Sequence, residues 1–451
     1  MRRIPTDQNG KPVTPPAITP LLNSRVIDEC RTEVVTQTRS YELITPLFGG
    51  GSEPGKADSD MVIRGSGIRG QLRFWWRACR GGGFNGDLGA MKKAEDRLWG
   101  ARSKPGEPRP SKVQVCVKVT EVGNRLQPFE IKPRGVKKYR AESVRGSGIP
   151  PYAVFPLQPK EEDVRRYGIK TTIHPVLDNV KFDLVITFPE RERAEVEAAL
   201  WAWETFGGVG GRTRRGFGAI RLVAVDGKPV ESPKARDIEV TIREDLRKHV
   251  IDGRWPDGVP HLSKHIRMVV SPNHSDAKKA WQHLVNELSR FRQQRNLNSD
   301  GSKRGRSRWP EPDEIRRLTG FRSLKHAREL STVRKFPRAA FGLPIMFHFK
   351  DEREGDPPTT MLEGGTEGYQ RLASPLILRP LACEGGRASG LAVILEGTCV
   401  EHVPGGLVLK ESVGEKKKHA VNSELTTKEA SEIGPLRGNT DVLDAFLKLL
   451  K

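Results

Sequence analysis

The sequence predicts an α+β fold built on antiparallel sheets with long inserted loops, and three observations lead there. Alternating β-rich runs recur, the clearest being Ser111–Thr120, where Val113, Val115, Val117 and Val119 share one face. Amphipathic helical stretches lie between such runs. In Ile63–Arg80, a wheel of about 100° per residue puts Ile68, Leu72, Trp75 and Cys79 on one side. The order of segments up to residue 226 is strand, helix, strand, strand, helix, glycine loop, strand, the βαββαβ order of a ferredoxin-like domain.

In chain order, residues 1–28 are rich in Pro, Thr and Asn without periodicity and are expected to form a flexible arm. Thr32–Leu43 reads as the first strand and runs into the turn Ile44-Thr-Pro-Leu-Phe-Gly-Gly-Gly51. Ser66 is the expected N-cap of a helix starting near Gly67. Leu88–Gly100 suggests a short helix, and Pro128–Pro159 a long loop, of a length that compact domains keep for function. Val180–Phe188 is a strand, and Arg193–Phe206 a helix with Val196, Leu200, Trp203 and Phe206 inward. Phe217–Val225 closes a first domain, residues 29–226. A Pro/Lys/Glu-rich linker is expected over 227–260, followed by a second domain over 261–451. This has strands at His265–Ser271, in the last ten residues of Phe336–Lys350, at Arg371–Pro380 and at Leu391–Leu395. Its helices are Asp276–Gln294 and a terminal Val442–Leu450.

The 451 residues carry 77 Lys+Arg against 56 Asp+Glu, a formal net charge of +21. Such an excess favours a polyanionic partner, nucleic acid or an anionic membrane. No apolar run approaches the roughly 20 residues of a membrane-spanning helix, so no membrane partner is expected. Two arginines near the N-terminus lack the apolar stretch of a signal peptide, which points to a cytoplasmic location. Cys30, Cys79, Cys116, Cys383 and Cys399 have no metal-binding spacing and are expected to be reduced, mostly buried thiols.

The positive charge is clustered. In Phe206–Leu222, Gly208-Val-Gly210 and Gly216-Phe-Gly218 flank Arg212, Arg214 and Arg215. Glycines allow close backbone approach, and guanidinium forks beside free N–H groups suit phosphate. The loop joins a helix to a strand and has Thr213 where a third glycine would stand, so it is not a dinucleotide fingerprint. Gly-Lys pairs at Gly10, Gly55 and Gly227 lack the Ser or Thr of a nucleotide-triphosphate loop. On the Ile63–Arg80 helix, Arg69, Arg73, Arg77 and Arg80 line the face beside the apolar one, with Trp76 at the seam. None has an acidic partner four residues on, while Arg64, Ser66 and the helix N-terminus face a potential phosphate. The competing reading is a solvated helix face. The block Lys303, Arg304, Arg306, Arg308 and Trp309 suits backbone electrostatics with one stacking ring, or else is a disordered basic loop.

The paired glycine motifs resemble the glycine-rich loop of the RAMP superfamily of CRISPR RNA-binding proteins. Leu43–Gly51, Ile63–Arg77, Ser307–Arg317, Phe336–Lys350 and Arg371–Pro380 resemble the first RAMP subunit of the type III-B (Cmr) effector. That resemblance implies two ferredoxin-like (RRM-like) domains. It also implies a non-enzymatic subunit that binds the 3′ region of a guide RNA, captures target RNA, and associates with other RAMP subunits. No metal or cofactor is expected: no histidine precedes an aspartate, and His261-x-x-x-His265 is an isolated pair. Two alternatives stay open, a metal-independent guide-processing ribonuclease using His326 and a purely structural cap.

Overall fold

The computed structural model describes residues 33–451 except positions 52, 54, 59–60, 104–107, 136–137, 272, 298–303, 322–329, 331, 350–354 and 412–416. The expected N-terminal arm, Lys303 and His326 therefore lie outside the described residues.

The first half is built on β1 (Val34–Leu43), α1 (Gly65–Arg80), α2 (Leu88–Trp99), β2 (Gln114–Glu121), β3 (Lys181–Pro189), α3 (Arg193–Phe206) and β4 (Ile220–Val225). The strands lie in the order β2-β3-β1-β4, and every pairing is antiparallel. Strict alternation in β3 puts Phe182, Leu184, Ile186 and Phe188 on a fully buried face. Against it pack Leu72, Trp75 and Cys79 of α1 and Val196, Leu200, Trp203 and Phe206 of α3. The valines of β2 are only partly buried, because β2 is an edge strand.

The segment expected to be a linker, 227–260, instead carries α4 (Ile238–His249), whose Ile238, Ile242 and Leu246 enter the same core. The expected loop 128–159 is also structured. Phe129–Pro133 pairs with Tyr139–Ser143, and Ala153 and Val154 are buried.

In the second half, β5 (Met268–Val270), α5 (Ala277–Arg292), β8 (Leu376–Ala382) and β9 (Ala388–Ile394) form a three-stranded antiparallel sheet, β5-β9-β8, covered by α5. A separate sheet holds β6 (Ile345–Phe347), β7 (Thr360–Gly364), β10 (Leu407–Glu411) and β11 (Lys418–Val421). Helix α6 (Glu311–Thr319) and the terminal α7 (Val442–Leu449) complete it. The four-stranded order of the first half is not repeated here among the described residues.

β8 and β9 are buried on both faces, and their alternation divides their side chains between two cores. Ile377, Leu391 and Val393 join the core of the first half, whereas Leu376, Leu378, Ala392 and Ile394 pack with Leu284 and Leu288 of α5. The two halves thus share apolar interior. Arg379 of β8, 1% exposed, reaches across and donates to the carbonyls of Trp203, Gly207 and Ile220, at the C-terminal end of α3 and the start of β4. Burial pushes its guanidinium down to about 9.

Candidate nucleic-acid interface

Three stretches distant in sequence meet at one place. The turn after β1 clasps the glycine loop. Ile44 N donates to Ala219 O at 2.8 Å, Thr45 Oγ1 to Gly216 O at 2.7 Å, Gly218 N to Pro46 O at 2.9 Å and Gly211 N to Phe48 O at 2.7 Å. Within the loop, Val209 N donates to Gly218 O at 2.9 Å. This closeness demands glycine. At Gly218, φ is +59° and a Cβ would lie 1.9 Å from Val209 O; at Gly210, φ is +78° and a Cβ would lie 2.6 Å from Leu47. Gly208 and Gly216 are equally enclosed, by the Gly218 carbonyl and by Trp281. These glycines were expected to admit RNA, but first they admit neighbouring parts of the chain.

Beside the loop stands the N-terminus of α1. Together they bound a cleft of about 350 Å³, lined by Gly50, Arg64, Ser66, Gly67, Gln71, Gly208 and Gly210 among others. The helix begins at Gly65 with Arg64 at the N-cap, two residues earlier than expected, so Ser66 is an exposed first-turn residue and not the cap. No side chain caps this end and no acidic residue lies in its first turn, so its positive dipole end is not neutralised from within the helix. Arg64 holds Asp58 at the rim.

The arginine ladder is compensated, contrary to expectation. Its partners come from other helices. Arg73 binds Glu95 at 2.7 Å and Asp96 at 3.4 Å, Arg77 binds Glu95 at 2.5 Å, and Arg80 binds Glu195 at 2.6 Å. Arg69 has the loosest contact, 3.4 Å to Val113 O. Trp76 is 2% exposed and donates to Glu195 at 2.7 Å, so it is core and not a stacking platform.

The loop arginines also turn inward. Arg214 donates to Ser374 O and lies over the Phe74 ring; Arg215 donates to Leu376 O at 3.1 Å. Arg212, in the left-handed region at φ +58°, keeps a buried Nε without an acceptor. Burial lowers the pKa of all three, that of Arg215 to about 9.

The basic block is no exposed loop where it is described. Arg304–Ser307 pairs with Arg295–Leu297, Arg306 binds Asp313, and Arg308 lies against Gly434. Trp309 is 1% exposed and donates to Phe291 O at 2.8 Å. Of the four described cysteines, Cys79 and Cys383 are buried and Cys116 and Cys399 exposed. His261 stacks on Trp255, 4.3 Å between centroids, with its Nδ1 2.8 Å from Val259 O. Among the described residues no group of three or more acidic, histidine or cysteine side chains could hold a metal ion, and no helix is long and apolar enough to cross a membrane.

The stretch containing this cleft, residues 40–221, matches the model of the RAMP superfamily. Two Pyrococcus furiosus proteins are similar in sequence. CRISPR system Cmr subunit Cmr1-1 is 25% identical over 207 residues, 46% of this chain and 50% of that protein. Cmr subunit Cmr1-2 is 28% identical over 187 residues, 40% of this chain and 91% of that protein. Residues 40–221 carry the RAMP-superfamily pattern, and the chain resembles Cmr subunit 1. The chain thus spans half the length of the first of these relatives. Among solved structures, the apo crystal structure of Cmr1 from Pyrococcus furiosus aligns at TM-score 0.45 and 17% identity, covering 88% of this chain and 96% of that one. A chain in the cryo-EM structure of the type III-B Cmr-beta bound to cognate target RNA aligns at 0.46 and 12%, covering 82% and 98%.

Sequence reasoning missed Gly50, Gln71, Arg379 and the acidic partners Glu95 and Glu195. The first three sit in motifs already noticed as phrases, but only the fold shows which side chains face the cleft or the joint.

Proposed function

We propose that this RAMP protein is an RNA-binding subunit of a cytoplasmic type III-B CRISPR effector. In this role it holds the 3′ region of a guide RNA and/or captures target RNA, alongside other RAMP subunits. One observation carries the reading: the uncapped N-terminus of α1 and the Gly208–Gly210 turn converge on one cleft, inside the stretch that matches the superfamily. Main-chain donors and a helix dipole attract phosphate without reading bases. That suits a subunit which must accept any guide sequence while base pairing supplies specificity. Apart from Arg64, the residues lining the cleft have no titratable side chain, which favours binding over acid–base chemistry. The internal use of Arg73, Arg77, Arg80, Arg214 and Arg215 favours a purely structural subunit as the second reading.

The test is binding of labelled single-stranded RNAs of unrelated sequence to the full chain across a salt series, with recovery of the RNA after incubation without Mg²⁺. The expected result is sequence-tolerant binding, log-linear in salt, with intact RNA. Absent or salt-insensitive binding would overturn the reading in favour of the structural one, and cleaved RNA would overturn it in favour of a ribonuclease.

A further inference from the structure

Where the glycine loop meets the second half, four guanidiniums gather: Arg212, Arg214, Arg215 and Arg292, the last from the final turn of α5. Other inward arginines are neutralised by carboxylates, as at Arg73, Arg77, Arg80 and Arg316, or held by a set of carbonyls, as at Arg379. Here, among the described residues, no carboxylate lies within ion-pairing distance of any of the four. Arg292 Nη1 donates to the Tyr152 hydroxyl at 2.8 Å, and its guanidinium lies over Phe341. The Nε atoms of both Arg212 and Arg292 are buried without an acceptor. Burial and the like charges of Arg292, Arg212 and Arg214 depress Arg215 to about 9, so the cluster works against itself when empty. Tyr152 is the common neighbour, near Arg212 and Arg215 as well.

We propose that Arg212, Arg215 and Arg292, with the Tyr152 hydroxyl, form an anion site that takes one backbone phosphate of bound single-stranded RNA. The proposal rests on the RNA-binding reading and extends it from the cleft to the joint between the halves. The unpaired Nε atoms of Arg212 and Arg292 leave charged donors unused, and forked guanidiniums match the several acceptor oxygens of a phosphate better than a single flat carboxylate. Arg212 is also only two residues, about 7 Å at most, from Gly210 in the cleft, so both places lie along one path. The loop 128–159, which supplies Tyr152, would thereby have a role in binding.

The experiment uses the full chain, with Arg212→Gln, Arg292→Gln and the double variant. RNA affinity is measured across salt, and thermal unfolding is followed with and without inorganic phosphate. Loss of one phosphate contact lowers the salt slope by about 0.7. The double variant should show that decrease and bind RNA roughly tenfold more weakly at low salt. Without phosphate it should unfold at the same temperature as the parent or higher, since a repulsive cluster has been relieved, and phosphate should stabilise the parent more than the variant. An unchanged slope in a parent that binds RNA overturns this proposal and leaves the RNA-binding reading intact. An unchanged slope together with a lost phosphate effect overturns it in favour of an acidic protein partner. A lower unfolding temperature in both single variants overturns it in favour of a purely structural cluster. A parent that binds no RNA overturns the underlying reading itself.

Discussion

Replacing Ser66 by Asp separates folding from binding at the proposed cleft. Ser66 is exposed in the first turn of α1, where there is no acidic residue. A carboxylate there faces the positive end of the helix dipole and should stabilise the helix by about 0.3–1 kcal/mol. The same charge placed about 5 Å from a bound phosphate repels it by about 0.8 kcal/mol at the dielectric of water, and by about 3 kcal/mol at the lower effective value near a protein surface. RNA binding should therefore weaken by about 4-fold to 150-fold while the unfolding temperature stays level or rises. Fluorescence anisotropy with a labelled single-stranded RNA at low salt, run beside thermal unfolding, reads both quantities. Ser66→Asn controls for the change of shape and should bind within about twofold of the parent. If the Asp variant is folded and binds as tightly as the parent, no phosphate sits at this helix end and the cleft is not the interface.

Gly218→Ala must place a side chain at φ +59° and push against Val209 O. The left-handed conformation costs about 1–2 kcal/mol and the overpacking about 1–3 kcal/mol more, so denaturant unfolding should show a loss of about 2–5 kcal/mol; a neutral variant would refute the tight loop. His249, packed on Trp201, is pushed down to about 4, mainly by burial and then by Lys248 and Arg80. Because its folded pKa lies below the ordinary value, its contribution is present above about pH 6.5 and is lost as pH falls toward 4, about 2 kcal/mol of it between pH 7 and pH 5. His249→Gln should remove that part of the acid-side loss in denaturant titrations at the two pH values, and an unchanged pH dependence would show that the imidazole does not titrate in this way.

Patterns within one element were legible in the sequence. The alternation of β3 and the apolar face of α1 both survive in the structure, as do Leu88–Trp99, Ala277–Arg292 and Val442–Leu449 within a residue or two. Helix α4 was also within reach, because Ile238, Ile242 and Leu246 recur every four residues, but its many charged neighbours hid them. What could not be read was pairing between elements. Arg73 and Arg77 meet Glu95 and Asp96 from α2, and Arg80 meets Glu195 from α3, far beyond the window in which a helix supplies its own counter-ions. A search at i+4 therefore finds an uncompensated ladder where the fold pairs three of its four arginines. Trp309 misled for a related reason: charged neighbours suggest exposure, yet its ring fills the space beside Phe291. The glycine loop does bring backbone unusually close, as its glycines suggested, but much of that closeness is directed at the turn after β1.

Arg379 has a consequence for how the molecule must be made. A residue of the second half completes the carbonyl end of a helix in the first, and the strand that bears it divides its side chains between both cores. Neither half synthesised alone would have a finished interior. The first, emerging earlier from the ribosome, would wait with α3 unsealed and apolar surface open until β8 and β9 arrived, about 150 residues later. Such a chain behaves as one inseparable unit, vulnerable during its own synthesis and resistant to being trimmed into working pieces.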